Sequence, residues 1–251
     1  MELGFCESKQ INIDTMLRVI MGKVFNEIRK PLVLEKMERI NSKFSKMPYY
    51  KNYAAVSGAV HNISHHEDAV RDILISEDII ECKTVQKKET IHLWIEHPEL
   101  STRVPVNSFI YQPCGPNDSP DFIIKLSETF ILSIECKSSN TLLPLYNSGG
   151  VKQNYLYVFS SNSTNETVTY MGSDIITIKQ QELIDAHIKE ARERDEILNT
   201  KLREIDTNSR GISYYTRPMI GQSGGKKFTN YFTHENRKSA GKSVLNFVEN
   251  N

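Results

Sequence analysis

The stretch from Ser119 to Lys137 constrains the fold more than any other part of the chain. Two apolar, β-branched runs, 122–126 and 130–134, flank a polar break at Ser127, Glu128 and Thr129. That is the pattern of a β-hairpin. A three-residue loop at the break sets Leu126 across from Phe130, and counting outward puts Asp121 across from Glu135. Side chains alternate faces along a strand, so Glu135 and Lys137 share a face and Cys136 points the other way. Two carboxylates and one ammonium thus meet in one patch. Ile123, Leu126, Phe130 and Ile134 predict that the hairpin is mostly buried. Burying Asp, Glu and Lys there is costly unless they are paired or hold a metal.

Those residue types together suit phosphate chemistry. Neighbouring carboxylates repel, and a hard divalent cation relieves the repulsion. Mg²⁺ is commonly held by one or two carboxylates, with waters and a substrate phosphate oxygen completing its shell. It acidifies a bound water and shields phosphate charge. A lysine at the same place orients the attacking water or stabilises charge that builds on the phosphorus oxygens. The plain alternative is an exposed hairpin with charges on its wet face.

Pro120-Asp121, thirteen intervening residues, then Glu135-Cys136-Lys137 resembles the signature of the PD-(D/E)XK nucleases. The flanks, Ser119 to Phe122 and Glu135 to Ser139, are similar to those of type II restriction endonucleases. The resemblance implies an α/β (α+β) fold, with a central mixed β-sheet flanked by helices in a restriction-endonuclease-like core. It implies that Asp121 and Glu135 hold one or two Mg²⁺ ions and that Lys137 positions or polarises the attacking water. The family also has an early helix with a Gly, a Phe and then a Glu that leans toward the metal site. Gly22, Phe25 and Glu27 are similar, which makes Glu27 the candidate third acid, with Glu35 and Glu38 as the other choices. A solvated Glu on a helix is the plain reading of Glu27.

Before the hairpin the chain reads as helical. Asp14 is a plausible N-cap, and Leu17, Ile20, Met21, Val24, Phe25 and Ile28 share one face over 14–30. A second helix spans about 32–44, between Pro31 and Pro48. Residues 49–75 read as a broken helix, in which Ser64 and Glu67 have capping-box spacing before Ala69, Val70, Ile73 and Leu74. His61 and His65 stand at i and i+4, but no third ligand sits nearby, so surface histidines at a helix start are the better reading. From Ile79 to about 178 the period shifts toward two. Strands are expected at 79–83, 91–96, 104–111, 155–159 and 167–170. Glu81-Cys82-Lys83 repeats the triplet of the hairpin but has no Pro-Asp upstream and reads as a decoy. Pro113 to Pro120 forms a turn-rich loop that delivers the chain to Asp121.

Beyond the hairpin, Asn147, Ser148 and Lys152 lie on a Gly-containing loop suited to phosphate oxygens, or form an ordinary strand connection. Residues 178–206 read as the longest helix, with Ile184, Ile188, Ala191, Leu198, Leu202 and Ile205 on one stripe and Asp195 interrupting it. Such a stripe predicts core packing or a helix pair, and a dimer helix is the other reading.

The chain is formally neutral, with 31 basic and 31 acidic residues, so any case for nucleic acid rests on local asymmetry. Residues 207–251 carry seven Lys or Arg and two Glu, a surplus of +5 against −5 in the first 206. Tyr214, Tyr215, Phe228, Tyr231 and Phe232 are interleaved there. That composition suits a DNA backbone, with Arg217, Lys226 and Lys227 as candidate contacts, or a solvated terminal subdomain. The division expected is a nuclease core at 1–206 and a basic, aromatic segment at 207–251, in one domain or two. Two stretches near Lys226 and Lys242 imitate phosphate-binding loops but lack the spacing and a preceding strand. The four scattered cysteines argue against a zinc ribbon or a disulfide framework and fit a reducing cytoplasm. No apolar run approaches a membrane span, and no signal segment is expected.

The sequence therefore reads as a Mg²⁺-dependent type II restriction endonuclease of a prokaryotic cytoplasm, cutting duplex DNA at a short site and leaving 5′-phosphates. A homodimer is possible, and a cognate DNA methyltransferase is implied by the class alone. The rivals are another PD-(D/E)XK nuclease, repair-type or structure-selective, and a non-catalytic DNA-binding module. An interaction protein built on the 178–206 helix is a further reading.

Overall fold

The structure is a computed structural model that describes residues 30–49, 65–116, 118–147, 150–222 and 230–251. Glu27, His61, Ser148, Lys226 and Lys227, and all but the last residue of the helix expected over 14–30, lie outside them. Helix α1 occupies 30–44 and α2 runs His65–Ser76. Strand β1 (Ile80–Glu81), helix α3 (Lys88–Glu96) and strand β2 (Ser108–Tyr111) follow. Then come the hairpin strands β3 (Phe122–Ser127) and β4 (Phe130–Ser139) and the short β5 (Leu145–Tyr146). Strands β6 (Tyr155–Ser161) and β7 (Glu166–Met171) lead to the long helix α4 (Ile178–Glu204). The short β8 (Ile220–Gly221), α5 (Glu235–Lys238) and α6 (Ala240–Asn250) complete the order.

Six strands form one mixed sheet in the order β1-β2-β3-β4-β6-β7. β2, β3 and β4 are an antiparallel meander, β6 runs parallel to β4, and β7 returns antiparallel. With helices packed against it, this is an α+β fold. Among the described residues the connection from β4 to β6 holds β5, which pairs with β8 in a separate two-stranded sheet.

The hairpin forms with one change from the expected turn. Phe122 pairs with Ile134 and Lys125 with Ile131, but Ser127 pairs with Phe130. The turn is therefore two residues, Glu128 and Thr129, and a bulge near Leu126 takes up the extra residue. Beyond the bulge the register is the expected one, so Asp121 still falls across from Glu135. The 91–96 stretch is not a strand. It belongs to α3, where Ile91 and Trp94 are buried. Their spacing of three outweighs the β propensity of Ile and Trp.

Even-numbered hairpin residues face an aliphatic core. Phe122, Ile124, Leu132 and Ile134 pack there with Leu156 and Val158 under Met37, Ile40 and Phe44 of α1, Val70 and Leu74 of α2, and Val244 and Val248 of α6. The opposite face carries two separate clusters. Ile110, Ile123 and Ile131 pack with Ile91 and Trp94 of α3. Tyr155, Tyr157 and Phe159 pack with Tyr146, Tyr170, Tyr231 and Phe232. The odd-numbered positions of β4 run from the first cluster, at Ile131, toward the second.

α4 meets its expectation in part. Its apolar stripe predicts a covered face, and Ile184, Ile188, Ala191 and Leu202 are half-buried, Ile184 against the aromatic cluster, though none of the 27 side chains is fully buried. The chain after it returns along one side. Asn199 and Tyr214 exchange two hydrogen bonds, Asn199 Nδ2 to Tyr214 O (2.8 Å) and Tyr214 N to Asn199 Oδ1 (2.7 Å). Asp195 accepts from Thr216 N (2.5 Å) and Thr216 Oγ1 (3.0 Å). Helix and returning strap form an arm rooted at β5 and β8. Among the described residues no helix is long and apolar enough to cross a membrane, and Cys82, Cys114 and Cys136 are free thiols.

Candidate active site

Asp121 ends the loop before β3, and Glu135 and Lys137 lie on β4. The crossing of the two strands is locked by side chains as well as by the ladder. The Cys136 N–H donates to Asp121 Oδ2 at 2.7 Å, and the Gln112 N–H donates to the Asp121 carbonyl at 2.7 Å. Lys137 Nζ donates to Glu135 Oε1 at 2.7 Å, with both side chains close to buried. It also donates to Asn147 Oδ1 at 3.3 Å. Among the described residues the other Glu135 oxygen, Oε2, is buried without a hydrogen-bond partner.

The electrostatics are those of crowded acids. Burial raises the Asp121 pKa well above the usual carboxylate range; the charges of Glu135 and Glu67 push the same way, and the Cys136 N–H and Lys137 oppose them. Asp121 keeps a little solvent exposure, so it is the dense packing around its carboxyl that dominates. Burial also raises the Glu135 pKa, against the pull of the Lys137 ammonium. A carboxylate raised in this way is held in the folded state at a cost that a nearby cation would relieve.

Glu67 is the acid that the sequence reading missed. It sits in the first turn of α2, accepts from the Tyr111 hydroxyl at 2.7 Å, and its charge is felt at both Asp121 and Glu135. Its sequence cue was the capping-box spacing, which explained it without reference to the site. The other choices lie elsewhere. Glu35 is exposed and pairs with Arg39 at 3.0 Å, and Glu38 is exposed on α1. Glu81 of the decoy triplet is taken up by Arg71. His66, the neighbour of His65, is buried with Nε2 3.0 Å from the Val158 carbonyl, and burial lowers its pKa.

Of the expected DNA contacts, Asn147 turns inward to Lys137, and Lys152 Nζ pairs with Asp185 at 2.9 and 3.0 Å. Arg217 is exposed on the strap. The loop carrying Lys152 is pinned from below, because a Cβ at Gly172 would meet the Lys152 carbonyl oxygen at 1.9 Å.

The aromatic cluster borders the site directly. Glu135 pairs in the ladder with Tyr157 and Lys137 with Phe159. The Tyr157 ring stacks on Tyr170 at 5.6 Å and meets Tyr146 edge-on at 5.5 Å. Tyr146 is the residue before Asn147, so β5 and its partner β8 set the position from which Asn147 reaches the lysine.

Comparison of the chain with family models, with curated proteins and with solved structures finds no match. The functional reading rests on the geometry and on the Pro120-Asp121 and Glu135-Cys136-Lys137 motif. Among the described residues no three His, Cys, Asp or Glu side chains form a compact ligand group. The donors at hand for a cation are therefore the Asp121 and Glu135 carboxylates. The partnerless Glu135 Oε2, together with two acids of raised pKa, fits a hard cation completed by water and phosphate oxygens.

Proposed function

We propose that this chain is a Mg²⁺-dependent DNA endonuclease of the PD-(D/E)XK type, with a restriction-endonuclease-like core and the specificity of a type II restriction enzyme. The observation that carries the reading is the buried pair Asp121 and Glu135, crossed between two strands, with Lys137 held against Glu135 and Oε2 left without a partner among the described residues. An exposed hairpin with wet charges has no reason to bury that set. Asp121 and Glu135 hold the metal, which when bound acidifies water and shields the phosphate charge. Glu67 is the third acid and acts on the other two through its charge and its bond to Tyr111.

The protein's own part in the reaction is positioning. Lys137 stands with one N–H on Glu135 and one on Asn147, which leaves its remaining donor for the attacking water or a phosphoryl oxygen. The sheet holds Glu135 and Lys137 two residues apart on one face, so water and phosphate meet them from the same side. Double-strand cutting needs two such sites, which a two-fold dimer or successive nicking provides. A cytoplasmic setting and a protecting methyltransferase follow from the class.

The test is incubation with unmethylated phage DNA, in Mg²⁺ and in EDTA, of the wild type, Asp121→Ala and Lys137→Ala. Discrete Mg²⁺-dependent fragments are expected, with losses of about 10²- to 10³-fold in each variant, the size of one lost transition-state contact. A smear lost in the variants moves the reading to a repair-type or structure-selective nuclease. Intact DNA with a metal-independent gel shift moves it to a binding module.

A further inference from the structure

A cleft of about 500 Å³ lies between α3, the Asp118–Ser119 turn and α4. Two of its lysines are already paired: Lys88 with Asp118 at 2.7 Å and Lys152 with Asp185 at 2.9 Å. Lys189 and Arg192 also line it, and among the described residues neither has a hydrogen-bond or ion partner. They stand at i and i+3 on α4 and so share one face of the helix. Of the two glutamates in the wall, Glu196 is engaged by Arg203 at 2.7 Å. Among the described residues the cleft therefore offers two unpaired cations, Lys189 and Arg192, against one unpaired carboxylate, Glu193, on a helix that fully buries none of its side chains.

The cleft and the candidate site share a wall. Ser119 lies two residues before Asp121, and its side chain bonds the Tyr155 side chain, which in turn feels the charge of Glu135. Tyr155 pairs in the ladder with Ser133, one position below Glu135 on the same face of β4. A polyanion crossing the site toward Ser119 enters the cleft. The paired lysines add to its capacity, because partly exposed ion pairs hold weakly and phosphate competes for their N–H groups.

We propose that Lys189 and Arg192 hold a DNA backbone phosphate that neighbours the reacting one, so that the cleft is the track along which the strand leaves the site. The proposal rests on the nuclease reading for its ligand and makes the arm the gripping element of that nuclease.

The experiment is fluorescence anisotropy of a short labelled DNA duplex in EDTA, at several salt concentrations, with cleavage in Mg²⁺ measured beside it. The variants are Lys189→Gln/Arg192→Gln and a control, Arg194→Gln/Lys201→Gln, which removes the same charge from α4 outside the cleft. Circular dichroism should be unchanged in both, since no buried side chain is altered. The cleft variant is expected to weaken binding about 10- to 30-fold and to lower the salt slope by about 2, with the control within about 3-fold of wild type. Equal losses in the two variants, or none in the cleft variant, overturn the proposal and leave a cleaving enzyme intact. A wild type that binds no DNA overturns the proposal and the nuclease reading together. A selective loss in the cleft variant of a protein that cuts nothing keeps the cleft as a DNA-phosphate site but overturns its place beside a reacting phosphate, together with the nuclease reading.

Discussion

The β3–β4 hairpin and the α4 arm use their residues in opposite ways. β4 has ten residues and its first seven are buried, Glu135 among them. α4 has 27, extends for about 40 Å and buries none. In the hairpin, position is fixed from both faces of the sheet, so a charged side chain is held where solvent would not leave it. In the arm, local terms suffice. Thr177 and Gln180 form a capping box, Lys201 and Arg203 sit in the last turn where the helix dipole favours them, and the strap lies along one side. The hairpin can therefore hold raised acids in register for chemistry, while the arm is free to be charged, aromatic and exposed.

The contrast breaks most readily on stability. Leu132 is fully buried in the centre of β4, and Leu132→Ala is expected to cost about 3 kcal/mol in denaturant unfolding. Ile197, exposed on α4, should change stability by less than about 0.5 kcal/mol when replaced by Ala. Comparable losses at the two positions would show that the arm is covered in solution and that the comparison fails.

Activity sharpens it next. Glu67→Gln keeps the shape and a hydrogen-bond acceptor for Tyr111 but removes the charge felt at Asp121 and Glu135. Cleavage is expected to slow about 100-fold, or about 2.7 kcal/mol of transition-state stabilisation. Glu35→Gln, on the solvent side of α1, should leave the rate unchanged. Equal effects would remove Glu67 from the site.

Much of this contrast was legible in the sequence, and what was not has identifiable causes. Alternation of β-branched residues sufficed for the hairpin and its register. The bulge near Leu126 was hidden because a shorter turn with a bulge gives the same register as a three-residue loop. α3 was hidden because Ile91 to Glu96 satisfies both periods, and only tertiary packing of Ile91 and Trp94 chooses between them. Glu67 was masked by a capping pattern that fully accounted for it. The stripe on α4 revealed amphipathicity, but a stripe carries no information about what covers it. Asn147 could be placed near the site by chain distance, yet its turn toward Lys137 depends on the β5–β8 pairing, made with a strand more than seventy residues later.

The acids of the hairpin also leave a thermodynamic mark. Burial raises the Asp121 pKa in the folded state above its unfolded value. Such a group favours folding below the unfolded value, and that contribution is lost as pH rises through the folded value. Above that window the charged carboxylate opposes folding. In EDTA at neutral pH, Asp121→Asn should therefore raise Tm by about 2–4 °C, the shift that about 1 kcal/mol produces in a chain of this length. Mg²⁺ should raise the wild-type Tm and leave the variant's nearly unchanged. A variant that melts lower in EDTA would mean that the Cys136 N–H and Lys137 already compensate the charge, and that the hairpin stores no repulsion for a cation to relieve.

The smallest expected effect tests the arm from within. Asp195 interrupts the apolar stripe of α4 because it faces the strap, where it accepts from both the amide and the hydroxyl of Thr216. Thr216 is exposed and Asp195 half-exposed, so the bonds contribute about 0.5 kcal/mol against competing water. Asp195→Ala should leave Tm within about 1 °C of wild type. It should still speed hydrogen exchange at Tyr214 and Thr216 several-fold, because local opening there needs no global unfolding. If Tm instead fell by many degrees, the strap would belong to the cooperative core. The arm would then be held as firmly as the hairpin, and its exposed residues could not be read as free to follow a ligand.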